Sequence, residues 1–291
     1  MMIELGCQHR FAVRDYDLAA TLGCGQAFRW RERNGVWEGV VDGRWVSLRQ
    51  PDEGSILALT AAPQADWDWL ADHLQTTVDL SAVLATFPDD APMRAAVAHG
   101  RGLRLLQQEP WECLASFICS STKRIVQIQQ IIALLSERLG EPVAVPHGHA
   151  PAFAFPSPER LAAASEAELR LCKMGFRAPN LRNAALQVSS GGLRLVDLHS
   201  HSCAIARVEL EKLPGVGRKI ADCVLLFAYG FQQAFPVDVW VMKALRQLYF
   251  PRRRPTPQRL RSFSETHFGA NAGYAQQYLF HYMRTRGRRK K

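Results

Sequence analysis

The feature that most constrains this 291-residue chain is a short punctuation mark, Leu213-Pro-Gly-Val-Gly217, set between two helical patterns at 201–212 and 218–229. Proline cannot continue the first helix, and glycine takes backbone conformations closed to other residues. Gly215 and Gly217 can take positive φ and let another backbone come close, which suits a tight hairpin of the two helices over 203–229. The first amides of a helix lack intrahelical partners and face the positive end of its dipole, so this turn is suited to gripping a phosphate. Gly215, Val216, Gly217 and Arg218 are the candidate contacts. No basic side chain stands at the tip, so the grip would use backbone amides and read no base sequence.

Lys219 lies in the first turn of the second helix. The dipole disfavours a further positive charge there, which suits an amine that must act as a nucleophile and form a Schiff base. A solvated or phosphate-contacting lysine, paired with Asp222 three residues on, is the plainer alternative. Nineteen residues after Lys219 comes Phe235-Pro-Val-Asp-Val-Trp240. Asp238 there fits a helix N-cap. It also fits a carboxylate that stabilises an oxocarbenium-like sugar as a glycosidic bond breaks.

The rest of the chain divides in two by hydrophobic period. Residues 1–105 read as strands: Phe28–Trp30, Val36–Val41 and Val46–Leu48, with hairpin turns at Asn34-Gly35 and Asp42-Gly43 and a short helix over 63–75. From about 106 the period is helical. Leu114, Ile118, Ile125, Ile128, Ile132, Leu135 and Leu139 give one apolar face to a long helix. The proline-rich stretch 141–158 reads as an extended loop. Ser157-Pro158 opens a series of helices at 159–164, 166–172, 178–189, 201–212, 218–229, 238–248, 257–266 and 272–285. The expected fold is α+β: a small antiparallel sheet domain (1–105) with short helices, followed by a larger all-helical region (106–291).

Composition narrows the function classes. With 47% apolar and 22% charged residues the chain is an ordinary globular one, which excludes a disordered or fibrous protein. No apolar run is long enough to span a bilayer, and the N-terminus has no secretory pattern, so a cytoplasmic protein without membrane attachment is expected. The seven cysteines form no CxxC pair. That argues for reduced thiols and against a cysteine-held zinc or iron–sulfur site. His147/His149 and His199/His201 lack nearby ligands and read as loop or cap residues, so no metal ligands are assigned. The net charge is +9, and residues 243–291 carry thirteen Lys or Arg against one acid, Glu265. Such asymmetry fits either a polyanion partner or a solvated surface. The basic end at 286–291 is expected to be disordered and to add nonspecific affinity for such a polyanion.

LPGVGRKIADC followed by PVDVW resembles the helix-hairpin-helix DNA glycosylase superfamily. Cys24-Gly-Gln-Ala-Phe-Arg-Trp30, Glu112–Ser121 (ECLASFICSS) and Ala275-Gln-Gln-Tyr-Leu-Phe280 resemble its 8-oxoguanine branch, and the likeness runs in order from about residue 10 to 285. The resemblance implies a monomeric base-excision repair enzyme with AP lyase activity, acting on double-stranded DNA that carries a damaged base. It implies no required cofactor, and it is compatible with a monovalent or divalent cation at the hairpin. By position it makes Lys219 the amine that attacks C1′ and Asp238 the essential aspartate. Gly25 becomes the carbonyl that senses the oxidised base, Cys223 and Phe280 the sandwich around the flipped base, and Gln276 the hydrogen-bonding partner of its edge. Four-residue spacing places Cys223 on the face of Lys219, and Phe280 on that of Gln276.

The same resemblance assigns the opposite strand to Phe176 as wedge and Arg177 as a cytosine contact. Thr122, Lys123 and Arg124 replace an asparagine-rich run, Gln127 replaces an arginine, and Trp240 stands where histidine is common. Two other readings stay open at this point: a monofunctional alkyl-purine glycosylase, which needs no lysine, and a non-catalytic DNA-binding module; an endonuclease-III-like enzyme is excluded, because its four-cysteine cluster has no counterpart after Cys223.

Overall fold

The computed structural model describes residues 6–61, 66–252 and 255–286. The basic end beyond 286 and the start of the expected 63–75 helix lie outside the described residues. Five strands form one antiparallel sheet in the order β1-β5-β4-β3-β2. They are β1 Cys7–Ala12, then, after helix α1 Leu18–Gly23, β2 Arg31–Arg33, β3 Val36–Val41, β4 Arg44–Asp52 and β5 Ser55–Thr60. Both expected hairpin turns are present. Asn34 and Gly35 have φ of 53° and 79°, and Asp42 and Gly43 have 47° and 72°. Two successive positive φ values match the right-handed twist of paired strands, and they set Arg33 opposite Val36 and Val41 opposite Arg44.

The Phe28–Trp30 strand does not form; β2 begins only at Arg31. The alternation in that segment has another cause. Phe28 enters the helical core against Phe117, with ring centroids 5.5 Å apart. Trp30 enters the sheet core with Leu48, Ile56 and Leu70. The segment is a bridge with one side chain in each core.

Three helices follow the sheet: α2 Asp68–Leu74, α3 Leu80–Leu84 and α4 Ala91–His99. Leu80, Met93, Leu103 and Leu105 pack into the helical core, so this stretch joins the apolar mass of the second half of the chain.

The expected long helix is two helices, α5 Pro110–Cys119 and α6 Ile125–Leu139. Ile118 and Ile125 are seven residues apart, a spacing that one helix or two can satisfy. Between them Thr122 has φ of +56°, a left-handed conformation uncommon for a β-branched residue. The Arg124 N–H restarts the helix by donating to Gln127 Oε1 at 3.0 Å. The proline-rich stretch is not wholly loop, because β6 Pro142–Val143 pairs with β7 Ala152–Phe153. Helices α7 Pro158–Ala163, α8 Glu166–Leu171 and α9 Ala178–Ser189 come next, and Ser157 caps α7 as its sequence suggests.

The hairpin is α10 Cys203–Glu211 and α11 Arg218–Tyr229, anchored by buried Leu213 and Val216. α12 Val239–Ala244 runs into a π-helical turn at Leu245–Tyr249, where one continuous helix over 238–248 was expected. α13 Pro257–His267 and α14 Ala272–Thr285 complete the chain. α11 packs on α5, and α14 packs on α12 and α4. This arrangement brings the start of α11, the start of α12 and the middle of α14 around one space.

Candidate active site and nucleic-acid interface

That space is a cavity of about 920 Å³. It is lined by residues from five places in the sequence: Gly25, the 120–124 turn, Lys219 and Cys223, Asp238 and Trp240, and Gln276 with Phe280. Every residue that the sequence assigned to catalysis or to the base pocket is at this one cavity.

Lys219 is half-buried at the start of α11. Its Nζ donates to Ser120 Oγ at 3.3 Å and lies 5.2 Å from the centroid of the Phe117 ring. It does not pair with Asp222, whose carboxylate is taken by Arg207 at 2.6 Å. One turn along, Cys223 is 4% exposed, and burial pushes its thiol up to about 12 against the pull of Lys219. It is therefore a neutral, compact apolar surface rather than a thiolate.

Asp238 is the N-cap of α12, and its Oδ1 accepts from the N–H groups of Trp240 and Val241 at 2.9 and 2.8 Å. Burial raises its pKa, while these N–H groups and Lys219 oppose the rise. The cap reading is compatible with a place at the cavity: the cap bonds fix the orientation of a carboxylate that lines it.

Gly25 has φ of +87°, and a Cβ there would run into Ile125 and approach Phe280. Three side chains hold this turn through five hydrogen bonds. Gln26, 1% exposed, donates to the Thr21 and Arg104 carbonyls and accepts from Leu106 N–H. Gln277 donates to Cys24 Sγ at 3.1 Å, and Arg284 donates to the Gly23 carbonyl at 2.6 Å. Gln276 is 3% exposed, and its Oε1 has no hydrogen-bond partner among the described residues. A buried acceptor left unpaired at a cavity wall is costly unless a ligand supplies the donor.

At the hairpin Gly215 has φ of +81°, and a Cβ there would clash with Asn180. Gly217 does not use that freedom: with φ of −98° it is the extended N-cap of α11. Its advantage is open space, since nothing lies within 4 Å of where its Cβ would be. Val216 is 5% exposed, so only its backbone can face a phosphate. Arg218 is engaged by Glu265 at 2.7 Å.

Phe176 is 66% exposed, as a wedge requires. Arg177 is not presented outward. It is 3% exposed, donates to the Ser121 carbonyl, Thr122 Oγ1 and the Met174 carbonyl, and so holds the strained 120–124 turn from behind. Thr122, Lys123 and Arg124 line the cavity mouth. His149 is bonded to Glu38 at 2.8 Å, and His199 packs on Tyr229. Among the described residues no group of three or more His, Cys, Asp or Glu is placed to hold a metal ion.

Residues with no role in the sequence reading are Ser120, Gln26, Gln277 and Arg284. Ser120 and Gln26 sit inside the motifs FICSS and CGQAFRW. Gln277 sits inside AQQYLF, whereas Arg284 lies outside every motif and its partner Gly23 is 261 residues away.

Two family models match the chain. One is the 8-oxoguanine DNA glycosylase N-terminal domain, over residues 9–114. The other describes HhH-GPD superfamily base excision DNA repair proteins, over residues 115–268. The chain belongs to the 8-oxoguanine DNA glycosylase branch of the HhH-GPD superfamily. Among its relatives, the N-glycosylase/DNA lyase OGG1 of Arabidopsis thaliana is 31% identical, with 90% of this chain and 76% of that protein covered. MBOgg1 in complex with a low-affinity DNA ligand superposes with a TM-score of 0.90 at 33% identity, covering 96% of each chain. The Clostridium acetobutylicum 8-oxoguanine glycosylase/lyase, solved on double-stranded DNA with cytosine opposite the lesion, gives 0.89 at 29% identity, covering 98% of this chain and 99% of that one. In this HhH-GPD protein no helix among the described residues is long and apolar enough to cross a membrane.

Proposed function

We propose that this protein binds double-stranded DNA, flips an 8-oxoguanine into the cavity, removes it, and opens the sugar through an imine on Lys219. The observation that carries the reading is the convergence of Lys219, Asp238, Cys223, Gln276, Phe280 and Gly25 on one space, with Gln276 Oε1 lacking a partner. A base in a duplex reaches such a pocket only by leaving the stack. Phe280 and Cys223 offer its two faces an aromatic and an apolar surface, and Gln276 offers its edge an acceptor.

In the reaction the Lys219 nitrogen lone pair forms the bond to C1′ while the glycosidic pair leaves with the base, which then takes up a proton. Positive charge develops on the sugar as that bond breaks, and the Asp238 carboxylate is oriented beside it by its cap bonds. The amine then loses its protons and the sugar ring opens to give the imine. Loss of a C2′ proton expels the 3′ phosphate, which is the lyase step. The backbone amides at the start of α11 hold a phosphate of the damaged strand. The opposite strand meets Phe176 and the 120–124 turn, and because Gln127 is committed to its cap and Arg177 to the turn, cytosine is discriminated less strictly than by a pair of exposed arginines. A cation at the hairpin would use the backbone carbonyls there. The free state of all seven cysteines supports a reducing, cytoplasmic compartment.

Borohydride trapping on duplexes with 8-oxoguanine opposite each base tests the reading. We expect a covalent adduct that Lys219→Gln abolishes. Asp238→Asn should slow base release by about a hundredfold or more while leaving DNA affinity nearly unchanged. An adduct that survives Lys219→Gln would remove the lysine from the mechanism.

A further inference from the structure

Lys219 lines two cavities, and Asp238 belongs to only one of them. The second has a volume of about 590 Å³ and is lined from α10, α11 and α13. It contains two carboxylates, Asp222 and Glu265. Asp222 stands three residues after Lys219 on the same helix, a spacing at which an ammonium and a carboxylate pair readily. It is also 3% exposed, so an unpaired charge there would be costly and would draw in any nearby cation.

The lysine is not drawn in, because arginines already occupy the carboxylates. Arg207 on α10 donates Nε to Asp222 Oδ1 at 2.6 Å, with the two side chains only 18% and 4% exposed. Its Nη2 also reaches Cys203 Sγ at 3.3 Å. Arg218 Nε lies 3.6 Å from Asp222 Oδ2, and Arg218 Nη2 donates to Glu265 Oε1 at 2.7 Å. Four alternating charges thus run from α10 through α11 to α13, behind the turn that carries the amine. Burial pushes the Asp222 carboxyl up, and Arg207 and Arg218 pull it down.

We propose that Arg207 is a positioning residue for the lyase amine: by occupying Asp222 it denies Lys219 a carboxylate partner in the second cavity and keeps the amine on the Asp238 side. This rests on the reading of Lys219 as nucleophile. Without Arg207, the buried carboxylate recovers a partner by capturing the Lys219 ammonium. Capture turns the side chain away from the sugar and holds it protonated to higher pH. The other ionisable groups around Lys219 are Cys223 and Arg218 on α11, Cys203 on α10, Asp238 at α12, Arg261 and Glu265 on α13, Arg284 on α14, and Lys123 and Arg124 on the 120–124 turn. None of these is altered in the variants below.

The test is borohydride trapping by the full-length protein on an 8-oxoguanine duplex as a function of pH. Arg207→Gln should move the pH of half-maximal trapping upward by about one pH unit. DNA affinity should change far less than the trapping rate at neutral pH. The double variant Arg207→Gln/Asp222→Asn should return the midpoint to that of the parent, since the capturing carboxylate is gone. An unmoved midpoint in Arg207→Gln, with weaker trapping or without it, would reduce the ion pair to a structural staple and overturn the proposal. Should Arg207→Gln not fold, Asp222→Asn alone decides: its midpoint must stay at or below the parent's, and an upward move overturns the proposal. Trapping that persists in Lys219→Gln is a separate result, which overturns the nucleophile reading itself.

Discussion

At the scale of single residues, the site contains groups that the folded chain by itself does not satisfy. Gln276 is the clearest. Its Oε1 is buried with no donor among the described residues, and the free protein bears that cost unless a ligand supplies one. Gln276→Leu should therefore stabilise the free protein, by about 1 kcal/mol in urea unfolding, while lowering the rate of base excision. A variant that lost both stability and activity would mean that Gln276 serves the core. Asp238 shows the same tension in its charge. Desolvation raises its pKa, and the cap bonds and Lys219 oppose the rise. The sequence showed that a carboxylate before a helical pattern fits an N-cap and fits a catalytic role. It did not show that one oxygen, Oδ1, takes both cap bonds and so fixes the group for the second task.

Elements decide how these residues meet. The division of the expected long helix into α5 and α6 is the instructive case. No proline or glycine marks the break, and the apolar spacing runs across it. The turn is held from outside by Arg177, which reaches it from a segment 55 residues later. Arg177→Met would leave the Ser121 carbonyl without its buried donor. We expect a loss of about 2 kcal/mol in unfolding free energy and slower single-turnover excision, because Ser120, the hydrogen-bond partner of Lys219, sits in that turn. Unchanged stability would show that the turn holds itself. The hairpin was far more legible. Pro214, Gly215 and Gly217 punctuate it locally, with Gly215 at positive φ and Gly217 as an extended N-cap with open space around it.

At the scale of the molecule, two apolar cores are joined by the segment around Phe28 and Trp30 and by buried polar groups. His73 is one of these. Its Nδ1 bonds the Gln107 carbonyl at 2.7 Å, and burial lowers its pKa from 6.5 to about 4. The folded state keeps it neutral while the unfolded chain protonates it below about 6.5, so its contribution is intact above that pH and is lost as the pH falls toward about 4. Denaturant midpoints should fall across that window, and His73→Asn should flatten that part of the profile. Charge acts at the same scale. With +9 overall and a basic C-terminal end, DNA affinity should fall steeply and log-linearly with salt. A flat salt response would count against the phosphate grip.

What the sequence determined by itself is local or periodic. The two type I′ turns follow from Asn-Gly and Asp-Gly, the helices from their apolar period, and the hairpin from its glycines and proline. The site residues were named through a resemblance, not through physics: taken alone, Lys219 and Asp238 fit structural roles equally well. Tertiary structure decided the rest. It placed Gly25, Lys219, Asp238 and Gln276, spread over some 250 residues, on one cavity. It broke one helix, turned Arg177 inward, and gave Asp222 to Arg207 instead of to Lys219. The physical reason is common to these outcomes. Backbone preferences are settled by neighbours in the chain, whereas the partner of a buried polar group is settled by which distant side chain the packing delivers to it, and sequence spacing carries no record of that delivery.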